Sequence, residues 1–140
     1  MVDNETTIEP ENKIGKKILI VDDDMFLLDM YALKFQQAGF DVMTASDANA
    51  ALVKLRELDG DPDLMLLDIV MPGMDGLELL EVMQKEGLAQ KTAKIVLSNM
   101  GDQEDAKRGD ALGACSYIVK ANNTPSEVLE KVKEAMVKYC

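Results

Sequence analysis

Residues 18–24 read Ile-Leu-Ile-Val-Asp-Asp-Asp, and residues 64–68 read Leu-Met-Leu-Leu-Asp. Each is a short, wholly apolar run that ends in acid. Such runs fit strands buried on both faces of a parallel sheet. In open α/β sheets the carboxyl ends of the strands form the edge at which ligands bind. If the two strands are neighbours, Asp22, Asp23 and Asp68 meet in one pocket. Three carboxylates at that distance raise one another's pKa values or demand a cation. A hard divalent ion with oxygen ligands answers the demand, and Mg²⁺ (or Mn²⁺) suits it.

Outward from these two runs the pattern repeats. Apolar runs fall at Lys17–Val21, Phe40–Ala45, Asp63–Leu67, Ala93–Leu97 and Cys115–Val119. The spacing leaves room for one helix and two loops between successive runs. This βαβ rhythm implies a parallel sheet with right-handed crossovers. Residues 25–38 carry Leu27, Leu28, Tyr31, Ala32 and Phe35, with Gly39 as the stop. Residues 47–58 start at a capping Asp47, and residues 76–86 carry Leu77, Leu80 and Met83. Residues 124–139 have the clearest stripe: Val128, Leu129, Val132, Ala135, Met136 and Tyr139. There Thr124 caps, Pro125 takes the first helical position and Glu127 completes a capping box. Residues 102–112 are the weakest, with Gly109 inside and only Ala106, Ala111 and Leu112 to bury. Residues 1–15 lack periodicity and read as a disordered polar leader, with one domain over 16–140.

The charge balance is 15 basic against 26 acidic residues, a formal −11. That opposes a nucleic-acid surface and an anionic membrane surface. No apolar run approaches a membrane span, and the acidic start is unlike a secretory signal, so a cytoplasmic location is expected. Cys115 lies in an apolar run and Cys140 is the last residue. Their settings do not suggest a disulfide framework; Cys115 reads as a small core residue and Cys140 as an exposed thiol. The chain has no histidine, which excludes His-based triads and His zinc sites.

Four stretches in order carry a family likeness: ILIVDDD, DLMLLDIVMPGMDGLELL, KIVLSN and SYIVK. With them the chain resembles the receiver domain of two-component response regulators, from Lys16 to Lys138. The resemblance implies a flavodoxin-like (βα)5 doubly wound sheet in strand order 2-1-3-4-5, two helices on one face and three on the other. It makes Asp68 the phosphoacceptor. Asp22, Asp23, Asp68 and the Val70 carbonyl would hold the metal. Ser98 would bond a phosphoryl oxygen, Lys120 would pair with another, and Tyr117 matches the aromatic whose rotamer follows the switch. Val70 and Met100 match positions that flank the phosphoryl group and tune its lifetime. Asn99 stands where a small residue is usual, and Ala121 where proline is usual, often after a cis peptide.

The implied function is a stand-alone, chemotaxis-type receiver. A partner histidine kinase or histidine phosphotransfer protein would supply the phosphoryl group, and a downstream protein target would read it. The chain would be no enzyme beyond its own phosphorylation and self-dephosphorylation. The rival is a receiver-like interaction module that is never phosphorylated. Two enzyme readings fit less well. A flavodoxin-type phosphate loop would be repelled by Asp22–Asp24, and a haloacid-dehalogenase-type hydrolase wants an acid where Val70 stands.

Overall fold

The computed structural model describes residues 14–99 and 102–140. Met100 and most of the expected leader lie outside the described residues. Of the leader's last two residues, Ile14 packs on the core and the Gly15 N–H donates to the Gly39 carbonyl at 3.0 Å.

Five strands, β1 Lys17–Val21, β2 Asp41–Ala45, β3 Leu64–Asp68, β4 Ala93–Ser98 and β5 Ala114–Val119, form one parallel sheet in the order 2-1-3-4-5. They alternate with α1 Met25–Gln37, α2 Ala48–Glu57, α3 Gly76–Glu86, α4 Gln103–Ala111 and α5 Pro125–Lys138. The fold is thus the doubly wound, flavodoxin-like one. Alternation of side chains along each strand splits the core in two. Ile18, Ile20, Leu64, Leu66, Ile95, Leu97 and Ile118 face α1 and α5. Leu19, Val21, Met65, Leu67 and Val96 face α2 and α3, with α4 reaching the same side through Gly109. Leu64–Leu67 are all essentially buried, which is why that strand carries no polar alternation.

Polar side chains fix where each helix starts. Asp24 accepts from the Leu27 N–H at 3.1 Å and Asp47 from the Ala50 N–H at 2.7 Å. Asp75 with Glu78 and Thr124 with Glu127 form reciprocal capping boxes. Gly39 ends the α1 turn at φ 98°, a conformation that favours glycine.

Three expectations need correction. Cys115 and Cys140 are not separate thiols: they form a disulfide with Cα atoms 5.5 Å apart. Their 25-residue separation hid the pairing, because α5 runs back antiparallel to β5 and returns its end to the strand's start. Tyr139 does not join the α5 stripe but is 66% exposed, since the helix ends at Lys138. In α4 the buried residue is Gly109, while Ala111 is exposed.

A Cβ on Gly109 would meet Val96 Cγ2 at 3.5 Å, Ala114 Cβ at 3.7 Å and Leu77 Cδ2 at 3.9 Å, all ordinary contacts. Gly109→Ala therefore gains helix propensity without a clash. We expect it to stabilise the protein by about 0.5–1 kcal/mol in urea unfolding.

Candidate functional site

The sheet register brings the acids together. Ile20 pairs with Leu66 and Val21 with Leu67, so Asp22 and Asp68 emerge side by side at the carboxyl edge of β1 and β3. Asp22 is fully buried, Asp68 is 2% exposed and Asp23 is exposed. Carboxylate oxygens of the three lie within 4.8 Å of one another. The two buried acids follow Ile18 and Ile20 or Leu64 and Leu66 at strand spacing, on the α1 and α5 side.

Among the described residues one cation answers them. Lys120, in a single 3-10 turn after β5, is 8% exposed. Its ammonium donates to Asp22 Oδ2 at 2.7 Å and to Asp68 Oδ2 at 3.4 Å. Burial works to lower the lysine's pKa, but the Asp22 hydrogen bond and the charge of Asp68 outweigh it and hold the ammonium above its usual range. The Asp24 N–H donates to Asp22 Oδ1 at 2.9 Å. Asp22 is thus satisfied at both oxygens. Asp68 Oδ1 is buried with no hydrogen-bond partner, the one such side-chain atom among the described residues. Burial pushes the Asp68 carboxyl up from 3.8 to about 6; Lys120 opposes the rise, and Asp22 and Asp23 add to it.

Three carboxylates against one ammonium leave two negative charges. The pocket therefore fits a divalent cation in charge, in donor type and in its orphaned oxygen. Val70 follows two residues after Asp68 and is 61% exposed.

By strand parity two of the remaining expected residues fall on the face of the sheet opposite the acids. Ser98 is buried at the end of β4, directly after Leu97, the register partner of Asp68. Tyr117 pairs with Val96 and packs on the α2–α4 side of the core. Ser98, two residues past Val96, falls on that same side. Asn99 is exposed. There is no cis peptide among the described residues, so the Lys120–Ala121 bond is trans.

Two contributors were not read from the sequence as site residues. A Cβ on Gly76 would overlap the Asp68 carbonyl oxygen, and the Gly76 N–H donates to the Ile69 carbonyl at 2.8 Å. Only glycine lets α3 start this close to the strand end that carries Asp68; its signal was the Asp75-Gly76 pair. Tyr31 on α1 is buried on the same side as the acids. Burial and the charges of Asp22, Asp68 and Asp24 hold its phenol well above its ordinary range, hence neutral. Nothing in the helical stripe distinguishes it from a core aromatic.

The fold and family of the chain are shown by its relatives. The family model described as "Response regulator receiver domain" matches residues 18–133, and the chain belongs to that family. The phosphate regulon transcriptional regulatory protein PhoB of Klebsiella pneumoniae is 32% identical over 123 residues, 88% of this chain and 52% of that protein. The chain thus spans about half the length of this curated relative. The chemotaxis protein CheY4 of Vibrio cholerae superposes with a TM-score of 0.77 at 28% identity, covering 86% of this chain and 98% of that one. A CheY-like receiver domain protein of Methanospirillum hungatei JF-1 gives 0.76 at 34%, covering 89% and 95%. Receiver domains bind Mg²⁺ at an acidic pocket of this kind, and no described helix is long and apolar enough to cross a membrane.

The raised Asp68 pKa has a sign in stability. Below about pH 3.8 the carboxyl is neutral folded and unfolded, and burial costs nothing through its charge. Above about pH 6 it is ionised in both states and the full penalty applies. Asp68→Asn should thus gain stability as pH rises through that window, reaching about 1–3 kcal/mol at pH 7 without divalent ions. Lys120 keeps Asp22 as its partner in the variant. Urea melts of both proteins at pH 4 and pH 7 check this; an equal difference at the two pH values would contradict it.

Proposed function

We propose that the chain is a signalling receiver that takes a phosphoryl group onto Asp68 from the phosphohistidine of a kinase or phosphotransfer protein. The observation that carries this is the orphaned Asp68 Oδ1, a buried, electron-rich oxygen beside two further acids and one lysine. In the step, one carboxylate oxygen of Asp68 forms the new O–P bond as the partner's N–P bond breaks, the other remains available to a cation, and the partner's imidazole takes up a proton. Lys120 pairs with a phosphoryl oxygen and so compensates charge that would otherwise repel the donor. A divalent ion held by Asp22, Asp23, Asp68 and the Val70 carbonyl would supply further charge neutralisation. Ser98 would bond another phosphoryl oxygen, and Tyr117, on the same side of the sheet, would follow that change.

Met25 and Phe26, 57% and 74% exposed, begin α1 directly after the acids, and Val70 follows Asp68. Exposed apolar groups beside an acidic pocket suit a protein partner rather than a free anion. The expected boundaries, a leader over 1–15 and a receiver over 16–140, belong to this reading.

Incubation with a small-molecule phosphodonor and Mg²⁺ should add one phosphoryl mass to the wild type and none to Asp68→Asn. No addition to the wild type would favour the unphosphorylated interaction module instead.

Lifetime is the second expectation. Val70 cannot hydrogen-bond or orient a hydrolytic water, and it follows Asp68 by two residues with its side chain exposed. Slow self-dephosphorylation follows, and Val70→Asn should speed decay severalfold. Equal decay rates would show that water access here does not limit the lifetime.

A further inference from the structure

The disulfide lies away from the acidic pocket, and the signalling chemistry does not use it. Cys115 is the second residue of β5, and Cys140 follows Tyr139 at the end of α5. The covalent ring they close contains most of β5, all of α5 and Lys120. Its two sulfurs have different surroundings. Cys115 is half-buried, with its sulfur 3.4 Å from the Lys94 carbonyl oxygen, a ready acceptor for the S–H that reduction would create. Cys140 is exposed and lines a cleft of about 240 Å³ with Lys16, Asp63, Lys91 and Met136.

Ala135 and Met136 pack on the core, but beyond them little else holds this end of α5. Val137 is 86% exposed and Tyr139 66%. The Tyr139 and Cys140 N–H groups both donate to the one Ala135 carbonyl, at 2.8 and 2.9 Å. Residues past Met136 bury little apolar area, and a helix end of that kind opens locally at low cost unless tied down.

We propose that Cys115 and Cys140 form a reversible thiol–disulfide modification site, open to an external dithiol at Cys140, that sets how firmly the last turn of α5 is held against β5. The reductant's thiolate attacks the Cys140 sulfur. The Cys115–Cys140 bond breaks, and Cys115 leaves as a thiolate that takes up a proton and faces the Lys94 carbonyl. The reductant's second thiol then attacks the mixed disulfide and releases Cys140. The protein gains two electrons and two protons, and the dithiol becomes a disulfide. An oxidised dithiol partner reverses each step. Bridges that open and close in reducing compartments are of this sensing kind, and an exposed Cys140 at the edge of an open cleft is what would admit exchange without unfolding. This inference is independent of whether Asp68 is phosphorylated.

The test uses the full chain, native, with dithiothreitol and then with an oxidised dithiol. Thiol alkylation and intact mass report the bridge, thermal melting reports stability, and hydrogen exchange reports the Tyr139 and Cys140 amides. We expect reduction and re-closure without denaturant, within one chain. On reduction Tm should fall by about 5–15 °C, and exchange at the two amides should rise on the order of tenfold. Cys140→Ser should show the reduced values whatever the redox buffer. A bridge that opens only after unfolding, closes only between chains, or leaves the two amides unchanged when reduced would overturn the proposal.

Discussion

The Lys120 ammonium, shared between Asp22 at 2.7 Å and Asp68 at 3.4 Å, is the contact on which the rest of the site depends. It bridges 98 and 52 residues of sequence and ties the last strand to the first and the third. A buried charge cluster tolerates loss of a partner poorly, because the group left behind stays desolvated. The sharing is unequal, and the inequality is what matters chemically. Asp22 has the short contact and a backbone N–H besides, whereas Asp68 has the long contact and one oxygen with no partner. The same lysine that keeps the edge folded thus leaves one oxygen unsatisfied.

Much of the surrounding fold serves that edge. The central pair β1 and β3 sets Asp22 and Asp68 in adjacent register, and two layers of apolar side chains keep those strands dry on both faces. Asp24 begins α1 immediately after the acids, and Gly76 lets α3 begin against the Asp68 backbone. Stability is lost where Asp68 is buried ionised, and it is regained in the apolar layers beneath. Conflict of this kind at one edge of an otherwise consistent sheet is typical of a functional site.

The strands, the helix starts and the acid cluster were legible because each rests on local chemistry: apolar runs that end in Asp, a capping Asp47, Thr124 three residues before Glu127, and βαβ spacing; the strand order came only with the family resemblance. What the sequence hid depends on distance across the fold. The bond between Cys115 and Cys140 exists because α5 returns to the start of β5, and nothing around either cysteine announces that. Tyr31 reads as one more aromatic in a helical stripe, and only its burial on the same side as Asp22 and Asp68 gives it an acidic neighbourhood. Gly109 looked like a weak point in its helix, yet it is the one residue that α4 buries, beside Val96 and Ala114. The roles expected of Ser98 and Tyr117 rested on the family likeness alone; the register adds that both fall on the α2–α4 side.

The acidic edge carries excess negative charge that a divalent ion would relieve. The most direct measurement is thermal melting of the wild type and Asp23→Asn across a Mg²⁺ series at constant ionic strength. A site that binds only the folded state gains stability with the logarithm of ligand, about 1.4 kcal/mol at ten times its Kd. The wild type should climb by that rule, with the variant's curve displaced to higher Mg²⁺. Identical curves, or no Mg²⁺ dependence in the wild type, would contradict the account.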